Sequence, residues 1–149
     1  MHPCSSAGEA TLTEMVEPKR LFTREEANAL LPRVEPLVLA MREAAAAARA
    51  CAPLVAGFAE RASASGGVRP APREQSARRA LFAAEARLSG AVEALGELGI
   101  WVKDVERGLV DFPSDRDGEV VELCWLHGEP AVAHWHRIGE GFAGRKPLE

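Results

Sequence analysis

The feature that most constrains the fold is a change in the spacing of apolar residues at Gly99. Before this glycine, apolar residues recur at seven-residue intervals, which is typical of helices that pack along a common seam. After it, apolar and polar residues alternate, which is typical of strands in a half-buried sheet. We therefore predict an α+β fold, in which a long antiparallel helical hairpin, similar to a coiled coil, precedes a small four-stranded antiparallel β-sheet.

The helical part is predicted to contain one break, at a proline, before the loop that reverses the direction of the hairpin. Thr23 and Glu26 form a capping box, in which each side chain satisfies a backbone N–H of the other, so a first helix should begin at Arg24. Pro32 lacks an N–H and crowds the preceding turn, so this helix should end just before it. A second helix then runs to about residue 61. A loop rich in glycine and proline follows, and a third helix returns antiparallel to the second.

The strands are predicted to form two hairpins. In the second hairpin, Gly128 suits the first position of a two-residue type II′ turn. Such a turn fixes the register of the flanking strands, and it places Leu123 opposite His134. His134 and His136 then lie on the face of the sheet that does not carry Cys124.

We expect one domain, residues 21–149, preceded by a disordered tail of residues 1–20. Met15 is a second candidate for the initiating residue beside Met1. The domain is predicted to have three parts, namely the helical hairpin 24–98, the β-sheet region 100–137 and an irregular C-terminal tail 138–149.

The composition limits the class of protein. A net charge of −4 argues against a general nucleic-acid binder, because such proteins need an electropositive face. Three widely spaced cysteines without a CxxC pair do not suggest a disulfide framework, so a reducing cytoplasm is the expected location. The first residues lack the pattern of a signal peptide, and no apolar run approaches the roughly 18 residues of a membrane span. We therefore predict no membrane association.

Two long stretches resemble one protein family. They are GIWVKDVERGLVDFP, beginning at Gly99, and ELCWLHGEPAVAHWHRIGEGFAGRKPL, beginning at Glu122; FTREEANALLP, beginning at Phe22, is similar to the family's opening. The family is a bacterial one known as domain of unknown function 2203. The resemblance covers residues 21–148 and supports the fold and the C-terminal region, but it implies no activity. His127 and His134 are not part of the family's pattern.

The resemblance and the residue chemistry together give eight candidate binding residues. Asp111, Glu129, His136 and Arg145 have the residue types of an acid–base constellation, in which a carboxylate orients an imidazole. Arg145 could also act with Lys146 to form ion pairs or to hold an anion such as phosphate. The full candidate set is Lys103, Asp104, Asp111, Trp125, Glu129, Trp135, His136 and Arg145.

Other sites are considered and not adopted. His134, His136 and Cys124, with Glu122, have the residue types of a metal site, but the predicted register separates Cys124 from the histidines. A lone cysteine between apolar neighbours is more typical of a buried core residue than of a nucleophile. The segment 139–144 matches GxGxxG but lacks the strand and helix that a dinucleotide site requires. We therefore assign no metal ligands, and the sequence identifies no cofactor.

The pattern as a whole favours a non-catalytic interaction or adaptor module of the cytoplasm. The small residues along the second helix would let another helix approach closely, so we expect a homodimer through the helical hairpin or a protein partner. The alternative is a protein that binds a small ligand or a metal ion, such as a hydrolase, with its site on the C-terminal sheet.

Overall fold

The structure is a computed structural model that describes residues 17–64, 66, 69 and 71–149. Most of the predicted tail 1–20, including Met1 and Met15, lies outside the described residues. Two long helices precede an antiparallel sheet, which confirms the predicted α+β fold with a helical hairpin. The elements are α1 (Arg24–Ala64), α2 (Pro72–Glu97), β1 (Trp101–Asp104), β2 (Leu109–Arg116), β3 (Glu119–Leu126), β4 (His134–Arg137), a 3₁₀ turn (Phe142–Gly144) and β5 (Lys146–Pro147).

The first helix begins as predicted but does not break. The Thr23 hydroxyl accepts from the Glu26 N–H at 3.1 Å, and the Glu26 carboxylate accepts from the Thr23 N–H at 3.1 Å. The predicted break at Pro32 is wrong, because α1 continues through it. A proline inside a helix costs one hydrogen bond and some crowding. Val34 and Val38 immediately follow this point and are fully buried, so continuous packing against the core offsets that cost.

The end of α2 follows the sequence prediction. Gly99 has φ of 85°, a left-handed conformation that side chains other than glycine rarely adopt. Its N–H donates to the Gly96 carbonyl at 3.0 Å, and the Ile100 N–H donates to the Leu95 carbonyl at 3.1 Å. These two bonds form a Schellman motif, which closes the helix and directs the chain into β1.

The sheet has five strands in the order β1-β2-β3-β4-β5, one more than predicted. β2 continues past Phe112 to Arg116 and reaches β3 through a tight turn at Asp117 and Gly118. The C-terminal tail was expected to be irregular, but it returns along β4 and adds β5 as an edge strand. The Leu148 N–H donates to the Ala133 carbonyl at 2.8 Å and fixes this return.

The predicted register of β3 and β4 is wrong by one residue. Leu123 pairs with Trp135 and Cys124 pairs with His134, so Leu123 does not face His134. The connection between β3 and β4 is longer than a two-residue turn, and a side chain of α1 hydrogen-bonds to its backbone. The Asn28 amide accepts from the Val132 N–H at 2.8 Å and donates to the Val132 carbonyl at 3.3 Å.

The core lies between the inner face of the sheet and the lower part of the hairpin. The inner-face residues are Val110, Phe112, Val121, Leu123, Trp125 and Trp135. They pack with Val34, Val38 and Met41 of α1 and with Ala91 and Leu95 of α2. We call residues 45–83 the distal half of the hairpin; among its described residues only Glu74 is buried. No described helix is both long and apolar enough to cross a membrane.

The loop between β1 and β2 is seated directly on α1. Gly108 has φ of 72°, and a Cβ at this position would meet side-chain atoms of Val38, Arg42 and His127 at 2.8–2.9 Å. The Arg42 side chain also donates to the Glu106 carbonyl at 2.9 Å. The close approach therefore requires glycine, and it holds the ends of both strands against the helix.

Candidate functional site

The outer face of the sheet, away from the helices, carries a group of buried polar side chains. Side chains alternate between the two faces of a strand, so the apolar residues that enter the core force their neighbours outward. Phe112 directs Asp111 outward, and Leu123 and Trp135 do the same for the residues beside them. We call the resulting set the outer-face cluster; its members are Lys103, Asp111, Glu122, Cys124 and His136.

Burial distinguishes the outer-face cluster from an ordinary polar sheet surface. Asp111, Glu122, Cys124 and His136 are each no more than 2% exposed. Charged groups at this depth are costly unless they are paired or bind an ion.

Lys103 reaches the cluster from the edge of the sheet. The pairing of β1 with β2 shifts between Val102 and Asp104, and a bulge of this kind redirects the extra residue. The Lys103 ammonium forms an ion pair with Glu122 Oε1 and lies 3.9 Å from Asp111 Oδ2. It also lies 5.2 Å from the centre of the Trp101 ring, so an aromatic face supports the charge.

His136 lies between the two carboxylates. Its Nδ1 is 2.9 Å from the Arg137 carbonyl, and since a carbonyl only accepts, this nitrogen carries a proton. The other ring nitrogen, Nε2, is 3.2 Å from Asp111 Oδ2. Glu122 Oε2 lies 3.2 Å from Nδ1 on the other side of the ring. The ring is thus oriented with one nitrogen toward each carboxylate.

The hydrogen bonding of the site is incomplete. Both oxygens of Asp111, Oε1 of Glu122 and Nδ1 of His134 are buried without a hydrogen bond of acceptable geometry among the described residues, although Glu122 Oε1 forms the ion pair with Lys103. Asp111, Glu122 and His134 all lie on the outer face. Buried polar atoms are nearly always satisfied in folded proteins, so this concentration marks the face as more than a structural surface.

The burial of the cluster also changes its acid–base behaviour. Burial, followed by the nearby Glu122 charge, raises the pKa of Asp111 from 3.8 to about 6, although His136, Cys124 and Lys103 oppose this. Burial and the Asp111 charge raise the pKa of the Cys124 thiol to about 12. Asp111 and Cys124 therefore both keep their protons to a higher pH than they would in water.

Three side chains of the cluster could hold a metal ion. A carboxylate oxygen of Asp111, the Cys124 sulfur and a ring nitrogen of His136 all lie within 4.8 Å of one another. They come from β2, β3 and β4, which are adjacent strands of one ladder. An oxygen, a sulfur and an imidazole nitrogen form a ligand set that suits zinc and similar transition metals.

The other predicted site residues lie elsewhere. Glu129 and Arg145 form an ion pair at 2.7 Å, and Arg145 also approaches the Cys124 carbonyl at 3.4 Å, so this pair lies beside the cluster without entering it. Asp104 accepts from the Arg107 N–H at 2.9 Å within the β1–β2 turn. Trp125 faces the core, where its ring N–H donates to the Glu129 carbonyl at 3.0 Å.

Trp135 and Lys146 also have structural partners. Trp135 is a member of the hydrophobic core, and the Arg116 guanidinium lies 4.4 Å from its ring centre. The suggestion that Arg145 and Lys146 together hold an anion finds no support, because Lys146 pairs with Glu140 at 2.8 Å while Arg145 pairs with Glu129.

The sequence-based candidate set did not contain Glu122 or Cys124, which the structure brings to Asp111 and His136. The signal was present in the alternation of ELCW and HWH, where every second residue is polar or sulfur-containing. The incorrect register concealed it by placing Cys124 on the opposite face from His136.

The comparisons with known proteins assign the family. Residues 20–148 match the model of DUF2203, whose description is "uncharacterized conserved protein", and the chain belongs to this family. No curated protein and no solved structure matches the chain.

Proposed function

We propose that the protein binds a transition-metal ion such as Zn²⁺ on the outer face of its sheet, through Asp111, Cys124 and His136. The observation that carries the proposal is the convergence of three possible ligand atoms: a carboxylate oxygen of Asp111, the Cys124 sulfur and a ring nitrogen of His136 all lie within 4.8 Å of one another. All three residues are buried, and this set of oxygen, sulfur and nitrogen suits zinc and similar transition metals.

The geometry of the contact between His136 and Asp111 is compatible with a shared metal ion. His136 Nε2 lies 3.2 Å from Asp111 Oδ2, but the contact does not have the geometry of a hydrogen bond. Ligands of one tetrahedral ion instead meet along an edge, away from the lone-pair axis. With metal–ligand bonds of about 2.0–2.1 Å, that edge is about 3.3 Å. The observed 3.2 Å is close to this length.

The surroundings of His136 support the same assignment. Metal-bound histidines commonly donate their second ring nitrogen to a carboxylate or a backbone carbonyl, which fixes the tautomer. In this protein the Arg137 carbonyl and the Glu122 carboxylate both flank Nδ1. A bound metal ion would also displace the proton that the Cys124 thiol otherwise retains, because ligands bind in their deprotonated forms.

We propose ion binding rather than hydrolysis as the role of the site. Three protein ligands leave a coordination position open, as in zinc hydrolases. However, Asp111, Cys124 and His136 are each no more than 2% exposed, which leaves a substrate no open access to an ion held between them. A thiolate ligand requires a reduced cysteine, which supports the prediction of a cytoplasmic location.

The test is metal loading of chelator-treated protein with Co²⁺ and Zn²⁺. We expect one equivalent to bind, with a near-ultraviolet charge-transfer band that reports a cobalt–thiolate bond. Cys124→Ser should abolish this band, whereas Cys51→Ser, which alters the half-buried free cysteine of α1, should retain it. His136→Gln should weaken binding at least tenfold, and His134→Gln on the same strand should weaken it much less. Circular dichroism confirms that each variant folds.

A wild-type protein that takes up no stoichiometric Co²⁺ or Zn²⁺ would overturn the proposal. A second result against it would be a charge-transfer band that survives in Cys124→Ser but disappears in Cys51→Ser.

We propose an interaction role for the distal half of the hairpin as a second candidate function. Phe82 is 75% exposed and Leu54 is 58% exposed, which is unusual for large apolar side chains on two packed helices. A second copy of the chain could cover both and give the predicted homodimer. Sedimentation equilibrium should show a dimer that Phe82→Ser weakens, while Phe142→Ser, a change at an exposed residue near the C-terminus, leaves it intact. A monomeric wild-type protein would contradict this candidate.

A further inference from the structure

Lys103 differs from the rest of the outer-face cluster in its exposure. Its side chain is 38% exposed, whereas the side chains of its partners Asp111 and Glu122 are 1% exposed. The aliphatic stem therefore extends from solvent, and only the ammonium reaches the buried carboxylates. Lys103 is the extra residue of the bulge between β1 and β2, and it has no pairing partner in β2.

We propose that Lys103 is a displaceable internal cation, which pairs with the two carboxylates in the metal-free protein and must move away when a metal ion binds. This inference rests on the proposed metal site. It predicts that Lys103 lowers the affinity of the site for metal, so that the bound ion and the ammonium compete for the same negative charge.

The charges of the site support competition. Asp111 and Glu122 place two carboxylates in a buried environment, and the Lys103 ammonium forms an ion pair with each of them. It lies 3.9 Å from Asp111 Oδ2, an oxygen that also faces His136. A divalent ion between Asp111 and His136 would therefore lie within a few ångströms of the ammonium, and like charges repel strongly at such distances in a protein interior.

The exposure of the lysine makes its displacement feasible. A side chain with a flexible four-carbon stem can turn its ammonium into water without any change in the backbone. A purely supporting role would have the opposite consequence. If Lys103 only oriented Glu122 toward His136, its removal would loosen the ring and weaken metal binding. The sign of the change in affinity therefore separates the two roles.

The experiment compares three variants with the wild-type protein. Lys103→Met removes the charge and keeps the stem, Lys103→Arg keeps the charge, and Lys146→Met is the matched control. Lys146 is also on the sheet, is 40% exposed and pairs with Glu140 outside the site. Dissociation constants for Co²⁺ and Zn²⁺ come from competition with a chromophoric chelator, and melting temperatures are measured with and without metal.

We expect Lys103→Met to bind both ions about tenfold more tightly than the wild-type protein, and Lys103→Arg to bind within about threefold of it. Lys146→Met should be unchanged. Without metal, Lys103→Met should melt at a lower temperature than the wild-type protein, because two buried carboxylates lose their cation. The rise in melting temperature on adding metal should correspondingly be larger.

If the wild-type protein binds metal and Lys103→Met binds it equally well or more weakly, this inference is overturned. The proposed metal site is not affected by that result. Binding by neither the wild-type protein nor Lys103→Met would overturn the metal site and the competition together. Binding that appears only in Lys103→Met would support the competition by the lysine but would overturn metal binding as the function of the wild-type protein.

Discussion

The two faces of the sheet are equally buried but differ in chemistry. The inner face carries Phe112, Leu123 and Trp125, which lose contact with water by packing against the helices. The outer face carries Asp111 and Glu122 at the same depth, with oxygens that lack hydrogen bonds. Burial on the inner face stabilises the fold, whereas burial on the outer face costs free energy that the structure does not recover through hydrogen bonds. The difference shows that a burial pattern alone cannot separate a core from a site.

The largest expected change in the free energy of unfolding comes from a substitution on the inner face. Phe112→Ala should lower the free energy of unfolding by about 3–5 kcal/mol, because it removes a fully buried ring and leaves a cavity. Phe82→Ala, at an exposed position of α2, should change it by about 0.5 kcal/mol or less. Urea denaturation measures both. A cost of less than about 1 kcal/mol for Phe112→Ala would mean that the inner face is not the core.

The next effect is a dependence of stability on pH that originates on the outer face. The folded protein retains the Asp111 proton up to about pH 6, whereas the unfolded chain releases it near 3.8. The folded state therefore binds more protons between these values, so stability is highest at the acidic end and falls as the pH rises to about 6. The pKa difference corresponds to a loss of about 3 kcal/mol, with no further change above that range.

Urea denaturation of chelator-treated protein at a series of pH values measures this loss. The matched control is Asp111→Asn, which should show a flatter profile and should be more stable than the wild-type protein at pH 8. A wild-type stability that rises between pH 4 and 6 while Asp111→Asn follows it would show that Asp111 is not the group responsible.

A smaller effect is expected on the pKa of Asp111 when the charges around it are changed. Glu122 raises the pKa of Asp111 and Lys103 lowers it. Glu122→Gln should therefore move this pKa below about 6, and Lys103→Met should move it above that value. Carbon NMR of the Asp111 carboxyl group in metal-free protein measures both shifts. Shifts in the same direction would mean that the variants change the burial of Asp111 rather than its neighbouring charges.

The smallest effect is expected at the edge of the inner face. The Arg116 guanidinium lies 4.4 Å from the centre of the Trp135 ring, in a partly solvated position. Arg116→Met keeps the stem and removes the charge, so it should cost about 0.5–1 kcal/mol in urea denaturation. Arg33→Met, an exposed change on α1, is the control and should be neutral. A loss above about 2 kcal/mol would place this contact within the core instead of at its edge.

Local signals in the sequence were sufficient to predict much of the fold. The capping box at Thr23 and the glycine at Gly99 each act within one or two helical turns, and both elements begin or end where the sequence indicated. The break expected at Pro32 was not found, because the cost of a proline is local but the packing of Val34 that offsets it comes from the sheet. Sequence patterns describe such compensation poorly.

The candidate site was harder to predict for the same reason. Asp111, His136 and Lys103 could be named from their chemistry, but which residues join them depends on the face to which each side chain points. That face depends on the register of β3 and β4, and Asn28 of α1 helps to hold the connection between these strands. A contact between residues so distant in the chain leaves no periodic signal, so Cys124 was assigned to the wrong face.

The order of the strands has a consequence for how quickly the site can assemble. Each strand pairs with the one before it, so Asp111, Cys124 and His136 meet through two successive short connections. Closing a short loop costs little chain entropy, and proteins built from such nearby pairings fold quickly. We expect β2, β3 and β4 to pair early, and the docking of α1, through Asn28, then to fix the register that brings the three proposed metal ligands together.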